Sequence, residues 1–161
     1  MKSNLTNDKS DFYEDMNNLR MRNATTEDSE FAYQTKKLAF REYVEKVWGW
    51  DEDEQRQLHE RRFASQDFQV IQVSDINVGI LAVVRQPDCV KVNQIFIVPE
   101  YQSRGIGTAC ITRIIEDAAV SKLPVQLQVL KVNSRAVTFY QRLGFRSIGE
   151  SDTHVLMERL P

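Results

Sequence analysis

The apolar and polar positions of the chain change period several times, and each change predicts a new element. Residues 19–22 alternate apolar and polar, which is typical of a half-buried first strand. A helix is predicted next, because Thr25 and Thr26 precede acidic residues and Gly49 ends the pattern. The apolar stripe of this helix consists of Tyr33, Phe40, Tyr43, Val44 and Val47. The highly charged residues 51–62 predict a second, mostly solvated helix.

Three strand patterns follow directly after one another. Residues 68–73 alternate, residues 78–84 are continuously apolar, and residues 90–98 are rich in β-branched side chains. Polar turn residues at 74–77 and 86–88 separate them. This part of the chain is therefore predicted to be an antiparallel meander.

The rest of the chain alternates between helical and strand patterns. A helix over 105–121 turns one apolar face inward: Cys110, Ile111, Ile114, Ile115 and Ala118. A strand, a helix and two closing strands are predicted over 125–130, 134–143, 145–148 and 154–157. The whole pattern indicates an α/β fold with a mixed sheet and helices on both faces. We expect one domain over residues 19–161, preceded by a polar tail over residues 1–18.

Composition excludes several classes of function. With 21 basic and 23 acidic side chains among 161 residues, the net charge of −2 gives no reason to expect nucleic acid as a partner. Cys89 and Cys110 are the only cysteines and do not form a Cys-x-x-Cys pair, so we expect neither a disulfide framework nor a metal site. No apolar run suits a secretory signal or a membrane span, which favours a reduced cytoplasmic protein.

A glycine-containing loop carries the strongest functional signal. A strand ends near Val98 and a helix begins after Gly105 and Gly107, with Arg104 beside them. The free N–H groups and the dipole of such a helix N-terminus bind phosphate, and glycines let a diphosphate approach closely. A nucleoside triphosphate loop is excluded by the missing Gly-Lys-Ser/Thr, and the third position of a dinucleotide fingerprint is Cys110. The structural alternative is a plain tight turn.

Two blocks of residues carry a family resemblance. Gln102-Ser103-Arg104-Gly105-Ile106-Gly107 resembles the Gln/Arg-x-x-Gly-x-Gly/Ala motif of the Gcn5-related N-acetyltransferases, the GNAT superfamily. Residues 133–145, which read NSRAVTFYQRLGF, resemble the Asn-x-x-Ala-x-x-Phe-Tyr-x-x-x-Gly-Phe block of the same superfamily. The resemblance covers about residues 19–160.

The resemblance implies a fold and a cosubstrate. It implies a mostly antiparallel central sheet whose fourth and fifth strands splay apart, with the pantetheine arm of acetyl-coenzyme A (acetyl-CoA) in the gap beside Ile97. It implies no metal. The cofactor-binding residues implied are Ile97, Val98, Gln102, Ser103, Arg104, Gly105, Ile106, Gly107, Thr108, Asn133, Ala136 and Phe139.

The implied reaction is the transfer of an acetyl group to a primary amine by direct attack. By resemblance, the Ile97 N–H stabilises the oxyanion, and Tyr140 lies beside the thioester sulfur as a catalytic hydrogen-bond donor. Because Ala136, Tyr140 and Leu143 share one helix face, a core tyrosine is the structural alternative. The carboxylate that many relatives carry on the fourth strand is absent, since Asn93 and Gln94 stand there.

The base and the acceptor are left open by the sequence. Glu42 is one option for the base, but an ordinary surface glutamate is the favoured interpretation. Trp48 and Trp50, next to the acidic residues 51–54, suggest a cation–π site for a cationic amine, with plain packing as the alternative. His59 and His154 are isolated in the sequence and receive no ligand role.

Other readings of the whole protein also remain. A non-catalytic acyl-CoA sensor would keep the phosphate loop, and an interaction domain would use the sheet edge. The acceptor is a small-molecule or a protein amine, and a homodimer is an open alternative because dimers are common in the superfamily.

Overall fold

The computed structural model describes residues 16–161, so most of the predicted tail lies outside the described residues. Within these residues, four α-helices and seven strands follow one another. The helices are α1 (Ser29–Val47), α2 (Glu52–Ser65), α3 (Ile106–Val120) and α4 (Ser134–Arg142). The strands are β1 (Leu19–Asn23), β2 (Phe68–Val73), β3 (Ile76–Arg85), β4 (Val90–Ile97), β5 (Val125–Leu130), β6 (Arg146–Glu150) and β7 (His154–Arg159). Short 3₁₀ turns occupy Met16–Asn18, Thr26–Asp28 and Pro99–Tyr101.

All seven strands form one mixed sheet in the order β1-β2-β3-β4-β5-β7-β6. Among the described strands only β4 and β5 pair in parallel. The strands from β2 to β4 form the predicted antiparallel meander, and β1 pairs antiparallel with β2 at its edge. The turn between β2 and β3 is shorter than predicted, because Ile76 and Asn77 belong to β3. Ser74 and Asp75 have φ angles of 47° and 66°, which is the left-handed geometry that joins two strands tightly.

Helices cover both faces of the sheet, as predicted. Phe96 of β4 packs in an apolar cluster under α1, where its ring centroid lies 5.0 Å from that of Phe40. Its neighbours Ile95 and Ile97 pack instead against the larger cluster that contains Cys110 of α3. Since successive side chains of a strand point to opposite faces, α1 and α3 lie on opposite sides of β4.

The buried face of α1 differs from the predicted apolar stripe. Tyr33 and Val44 are buried as expected, but Lys36 is also buried, with only 5% of its surface exposed. The lysine occupies this face because α1 crosses β4, and a crossing between distant elements is not encoded in local periodicity.

The start of the first helical segment is fixed by a buried ion pair. The Asp28 carboxylate accepts bonds from both terminal nitrogens of Arg22 at 2.8 Å and from the Thr25 main-chain N–H at 2.8 Å. The Arg22 hydrogen bonds therefore lower the pKa of Asp28 to about 2.

Candidate active site

A wedge-shaped gap opens where β4 and β5 part. The two strands pair only over the first three residues of each, from Val90↔Val125 to Val92↔Leu127. The remaining halves diverge and line a cavity of about 1030 Å³. This is the splay that the resemblance implied.

The register of β4 determines which main-chain groups face the gap. A bulge lies at Asn93, because Ala82 pairs with Gln94 while Val83 already pairs with Val92. Beyond the bulge, the Val98 N–H donates to the Val78 carbonyl at 2.8 Å, so alternate residues of β4 bond to β3. The N–H groups of Ile95 and Ile97 lie between these positions and therefore point into the gap.

The first turn of α3 presents main-chain donors at the wide end of the cavity. Gly105 precedes the helix with a φ angle of 85°, and Ser103 has a φ angle of 61°. The N–H groups of Ile106, Gly107 and Thr108 have no acceptor within residues 16–161. Together with the helix dipole they form an anion site.

Side chains hold this loop in place. The Gln102 amide donates to the Ile97 carbonyl at 3.0 Å, which ties the loop to the end of β4. Arg135 of α4 donates to the Ser103 hydroxyl at 2.9 Å, across the mouth of the gap. A Cβ atom at Gly107 would lie 3.5 Å from the Phe139 ring, which is an ordinary van der Waals distance, so the first turn of α3 lies close to α4 here.

Tyr140 projects from α4 into the cavity. Asn133 caps this helix by accepting from the Ala136 N–H at 3.1 Å. The Tyr140 ring packs edge-on against Phe139 and Phe145, with centroids 5.1 and 5.4 Å away. Burial raises the pKa of Tyr140, so its hydroxyl stays protonated at neutral pH. That hydroxyl makes no hydrogen bond to any other part of the described chain.

The opposite wall of the cavity combines two cations with two unpaired oxygens. Lys36 of α1 and Arg62 of α2 both line the cavity, and neither forms an ion pair with any residue from 16 to 161. Desolvation, followed by the charge of Arg62, lowers the pKa of Lys36 to about 8. The side-chain oxygens of Gln66 and Gln94 are buried without a hydrogen-bond partner in the described structure.

The cavity is positively charged throughout. Besides Lys36 and Arg62, the arginines at 135 and 142 line it, and no aspartate or glutamate does among the described residues. Although the chain has a net charge of −2, four of its 21 basic side chains line this opening. Such a lining favours anionic groups.

The structure brings most of the predicted site residues together. The cavity lining includes Ile97, Gln102, Ser103, Gly105, Ile106, Gly107, Thr108, Asn133, Ala136, Phe139 and Tyr140. Val98 and Arg104 lie outside this lining: the Val98 N–H is used in the sheet, and the Arg104 guanidinium lies 5.6 Å from the Tyr101 ring.

The predicted acceptor tryptophans do not line the cavity. The Trp48 ring is 60% exposed and lies 6.0 Å from that of His154, which does line it. The Trp50 indole donates to Glu52 at 2.9 Å, and Glu52 also pairs with Lys37. The Trp50 contact corresponds to the packing alternative, whereas Trp48 remains mostly exposed.

Three other side chains were considered in the sequence. Glu42, the option for a base, is exposed and absent from the cavity lining, which agrees with the favoured interpretation of a surface glutamate. His59 is buried, and its ring lies 3.1 Å from the Ser29 hydroxyl. Both histidines therefore make specific contacts and are not isolated.

Sequence reasoning missed the cationic wall. Lys36 lies four residues from both Ala32 and Phe40, on the buried face of α1, and that spacing was the available signal. Arg62 is at the end of α2, a helix interpreted as solvated. For Gln94, the neighbouring sequence indicated only that a glutamine stands where many relatives carry a carboxylate.

Comparisons with known proteins agree with this geometry. The family model described as "Acetyltransferase (GNAT) domain" matches residues 27–155. The chain therefore belongs to this acetyltransferase family. A curated relative, an uncharacterized N-acetyltransferase of Methanocaldococcus jannaschii, is 38% identical over 63 residues, which are 38% of this chain and 28% of that protein.

Solved structures share the fold at low sequence identity. The PaiA N-acetyltransferase of Thermoplasma acidophilum, solved with coenzyme A, has a TM-score of 0.72 and 14% identity over 89% of this chain and 99% of its own. A GNAT acetyltransferase of Elizabethkingia anophelis with acetyl-CoA bound has a TM-score of 0.67 and 13% identity, covering 89% and 99%. The ribosomal-protein-S18-alanine N-acetyltransferase of Escherichia coli has a TM-score of 0.67 and 18% identity, covering 88% and 93%.

Two kinds of feature are absent from residues 16–161. No described helix is long and apolar enough to cross a membrane. No group of three or more metal-ligating side chains occurs in this part of the chain.

Proposed function

We propose that this protein transfers the acetyl group of acetyl-CoA to a primary amine. One observation carries the proposal: the unpaired edge of β4, the free N–H groups of α3 and the Tyr140 side chain all open into the same cavity. Family membership and the relatives solved with coenzyme A or acetyl-CoA support this donor.

The donor is bound in two parts. Its diphosphate accepts from the N–H groups of Ile106, Gly107 and Thr108, at the positive end of the α3 dipole. Its pantetheine arm lies in the gap and bonds to the edge of β4, as an added strand does. These residues fit acetyl-CoA, because the main-chain N–H groups of β4 and the anion site of α3 open into the same gap.

The reaction joins the amine to the thioester carbonyl carbon. The amine lone pair attacks, the carbonyl oxygen becomes an oxyanion, and the C–S bond breaks as the carbonyl re-forms. The nitrogen loses one proton, which is balanced by the proton that the coenzyme A thiolate gains. The Ile97 N–H faces the gap and stabilises the oxyanion. The Ile95 N–H faces the gap about 7 Å further back along the strand, so it is a separate donor that is free to bond to the pantetheine arm.

Tyr140 acts on the leaving thiolate. A thiol has a pKa of about 8.5 and a tyrosine about 10, so full proton transfer from an ordinary tyrosine is uphill by about 2 kcal/mol. Burial raises the pKa of Tyr140 further, which increases this cost. Tyr140 therefore donates a hydrogen bond to the thiolate and does not ionise early.

The amine must lose its proton before it attacks. An alkyl ammonium with a pKa of about 10.4 is neutral in only about one molecule in 2,500 at pH 7. No carboxylate of the described chain lines the cavity, whereas Lys36 and Arg62 do. Cations near the acceptor disfavour its ammonium form, so the cavity itself promotes the free amine.

The test is release of free coenzyme A from acetyl-CoA in the presence of a panel of amines. Amine-dependent release, with the acetylated amine identified by mass spectrometry, is the expected result. The alternative of a non-catalytic acyl-CoA sensor predicts tight binding of acetyl-CoA and no release with any amine. Failure to bind acetyl-CoA at all would contradict both.

A further inference from the structure

We propose that the acceptor is an amine that also carries an anionic group, which Lys36 and Arg62 bind while the Gln94 side-chain oxygen accepts a hydrogen bond from the amine. This inference rests on the proposed function and names its substrate class. Amino acids and amine phosphate esters are the two sources of this chemistry.

The packing of α1 places Lys36 over the part of β4 that borders the gap. Ala32 packs in a cluster with Ala82, and Ala82 lies opposite Gln94 in the register of β3 and β4. Eight residues later, the Phe40 ring packs on Phe96. Lys36 lies one helical turn from each, on the same face, and so between these two contacts.

Arg62 reaches the same place from α2. Both side chains line the same cavity, and the charge of Arg62 contributes to the lowered pKa of Lys36. At pH 7 a lysine with a pKa of about 8 is about nine-tenths protonated, so Lys36 is a cation there. Two cations without a carboxylate partner in the described structure leave positive charge that only a bound anion neutralises.

Gln94 adds the complementary feature for the amine. Its side chain is 8% exposed, lines the cavity next to the bulge, and has an oxygen without a partner in residues 16–161. A buried oxygen without a hydrogen-bond partner costs free energy and is therefore rare. An N–H group of the substrate amine would supply the missing hydrogen bond. The Gln94 side chain lies on the α1 face of β4, opposite the face that α3 covers.

The acids that would attract a cationic amine are occupied elsewhere. Asp51 accepts from the Glu54 main-chain N–H at 2.9 Å, as the N-cap of α2. Glu52 binds Trp50 and Lys37. Neither acid lines the cavity. The charge pattern therefore favours an anionic acceptor over a polyamine.

A matched set of amines tests the inference directly. Serine, O-phosphoethanolamine and ethanolamine carry the same amine with a carboxylate, a phosphate ester or neither, and putrescine represents cationic amines. Coenzyme A release is measured for each with wild-type protein, Lys36→Met, Arg62→Gln and Arg62→Lys. Arg61→Gln is the control, because Arg61 is adjacent and exposed and does not line the cavity.

We expect kcat/KM to be higher for serine or O-phosphoethanolamine than for ethanolamine, and the preferred one identifies the anion. Lys36→Met and Arg62→Gln should raise the KM of the anionic amine by about 10- to 100-fold, the range of a lost charge-assisted bond, with little effect on the KM of acetyl-CoA. Arg62→Lys should restore most of the affinity, and Arg61→Gln should match wild type.

A preference for ethanolamine or putrescine, unchanged by Lys36→Met and Arg62→Gln, would overturn the inference and leave the proposed function intact. Absence of release with all amines, despite acetyl-CoA binding, would overturn the proposed function and the inference with it. A loss of activity equal for all four amines in Arg62→Gln would also contradict a role in binding the anion.

Discussion

Lys36 makes a quantitative prediction about stability, because the folded protein buries its charge without a partner in the described structure. Its pKa falls from 10.5 to about 8, mainly through desolvation. One pH unit of this difference corresponds to about 1.4 kcal/mol, so the charged lysine destabilises the fold by about 3 kcal/mol. Replacing it with the similarly sized, apolar Met should remove this cost.

The pH dependence of the effect follows from the same pKa. Below pH 8 the lysine is protonated in both the folded and the unfolded states, and the full cost is present. Between pH 8 and 10.5 the unfolded chain still holds a proton that the folded protein has released, so wild-type stability rises with pH. The advantage of Lys36→Met should therefore shrink across this window.

The assay is urea unfolding of wild type and Lys36→Met at pH 7 and again near pH 10. At pH 7 we expect a gain of about 3 kcal/mol, or about 6–12 °C in melting temperature for a chain of this size. Lys46→Met, on the exposed end of α1, is the control and should change stability by less than about 0.5 kcal/mol. A Lys36→Met protein that is less stable at pH 7, or equally stabilised at both pH values, would refute the reasoning.

Three further predictions concern the site and the fold. Tyr140→Phe should lower kcat by about 100-fold with little change in the KM of acetyl-CoA, and an unchanged kcat would remove its role. Gly105→Ala should cost about 1–2 kcal/mol and weaken acetyl-CoA binding in calorimetry, because its φ angle is 85°, whereas Gly149→Ala, which meets no atom within 4 Å, should do neither. Asp28→Asn should cost about 2 kcal/mol in urea unfolding at pH 7, because the lowered pKa contributes stability above pH 3.8 that is lost as the pH falls to about 2; a cost unchanged at pH 2 would contradict this.

Local patterns predicted much of this molecule, since they depend on neighbours in the sequence. Period-2 and period-3.6 alternation located the meander and all four helices, and the residues around Gly105 predicted a strand, a loop and a helix N-terminus. Errors at the ends were small and have local causes. The turn after β2, for example, needs only Ser74 and Asp75, because both adopt left-handed geometry.

The acceptor side of the cavity was not predictable in the same way. Lys36 is buried because α1 crosses β4, and Gln94 loses its partner because the strands part at Asn93; both depend on residues far apart in the sequence. The direction of the Ile95 N–H similarly depends on the register of β4 against β3, which the sequence pattern does not specify. Lysines are usually exposed, so the helical pattern alone predicted that Lys36 would face solvent.

The electrostatics of the cavity link the binding of both substrates to the chemistry. A single cation about 6 Å from an ammonium group, at an effective dielectric constant of about 20, opposes its charge by about 3 kcal/mol, or about 2 pKa units. Lys36 and Arg62 carry two positive charges, and one anionic group on the acceptor offsets one of them. About one net positive charge then remains near the amine. The neutral fraction of an alkyl amine at pH 7 would then rise from about one in 2,500 to about one in 25. A chain without a carboxylate on β4 thus has another way to supply the free amine, provided that the acceptor brings the anion that holds it there.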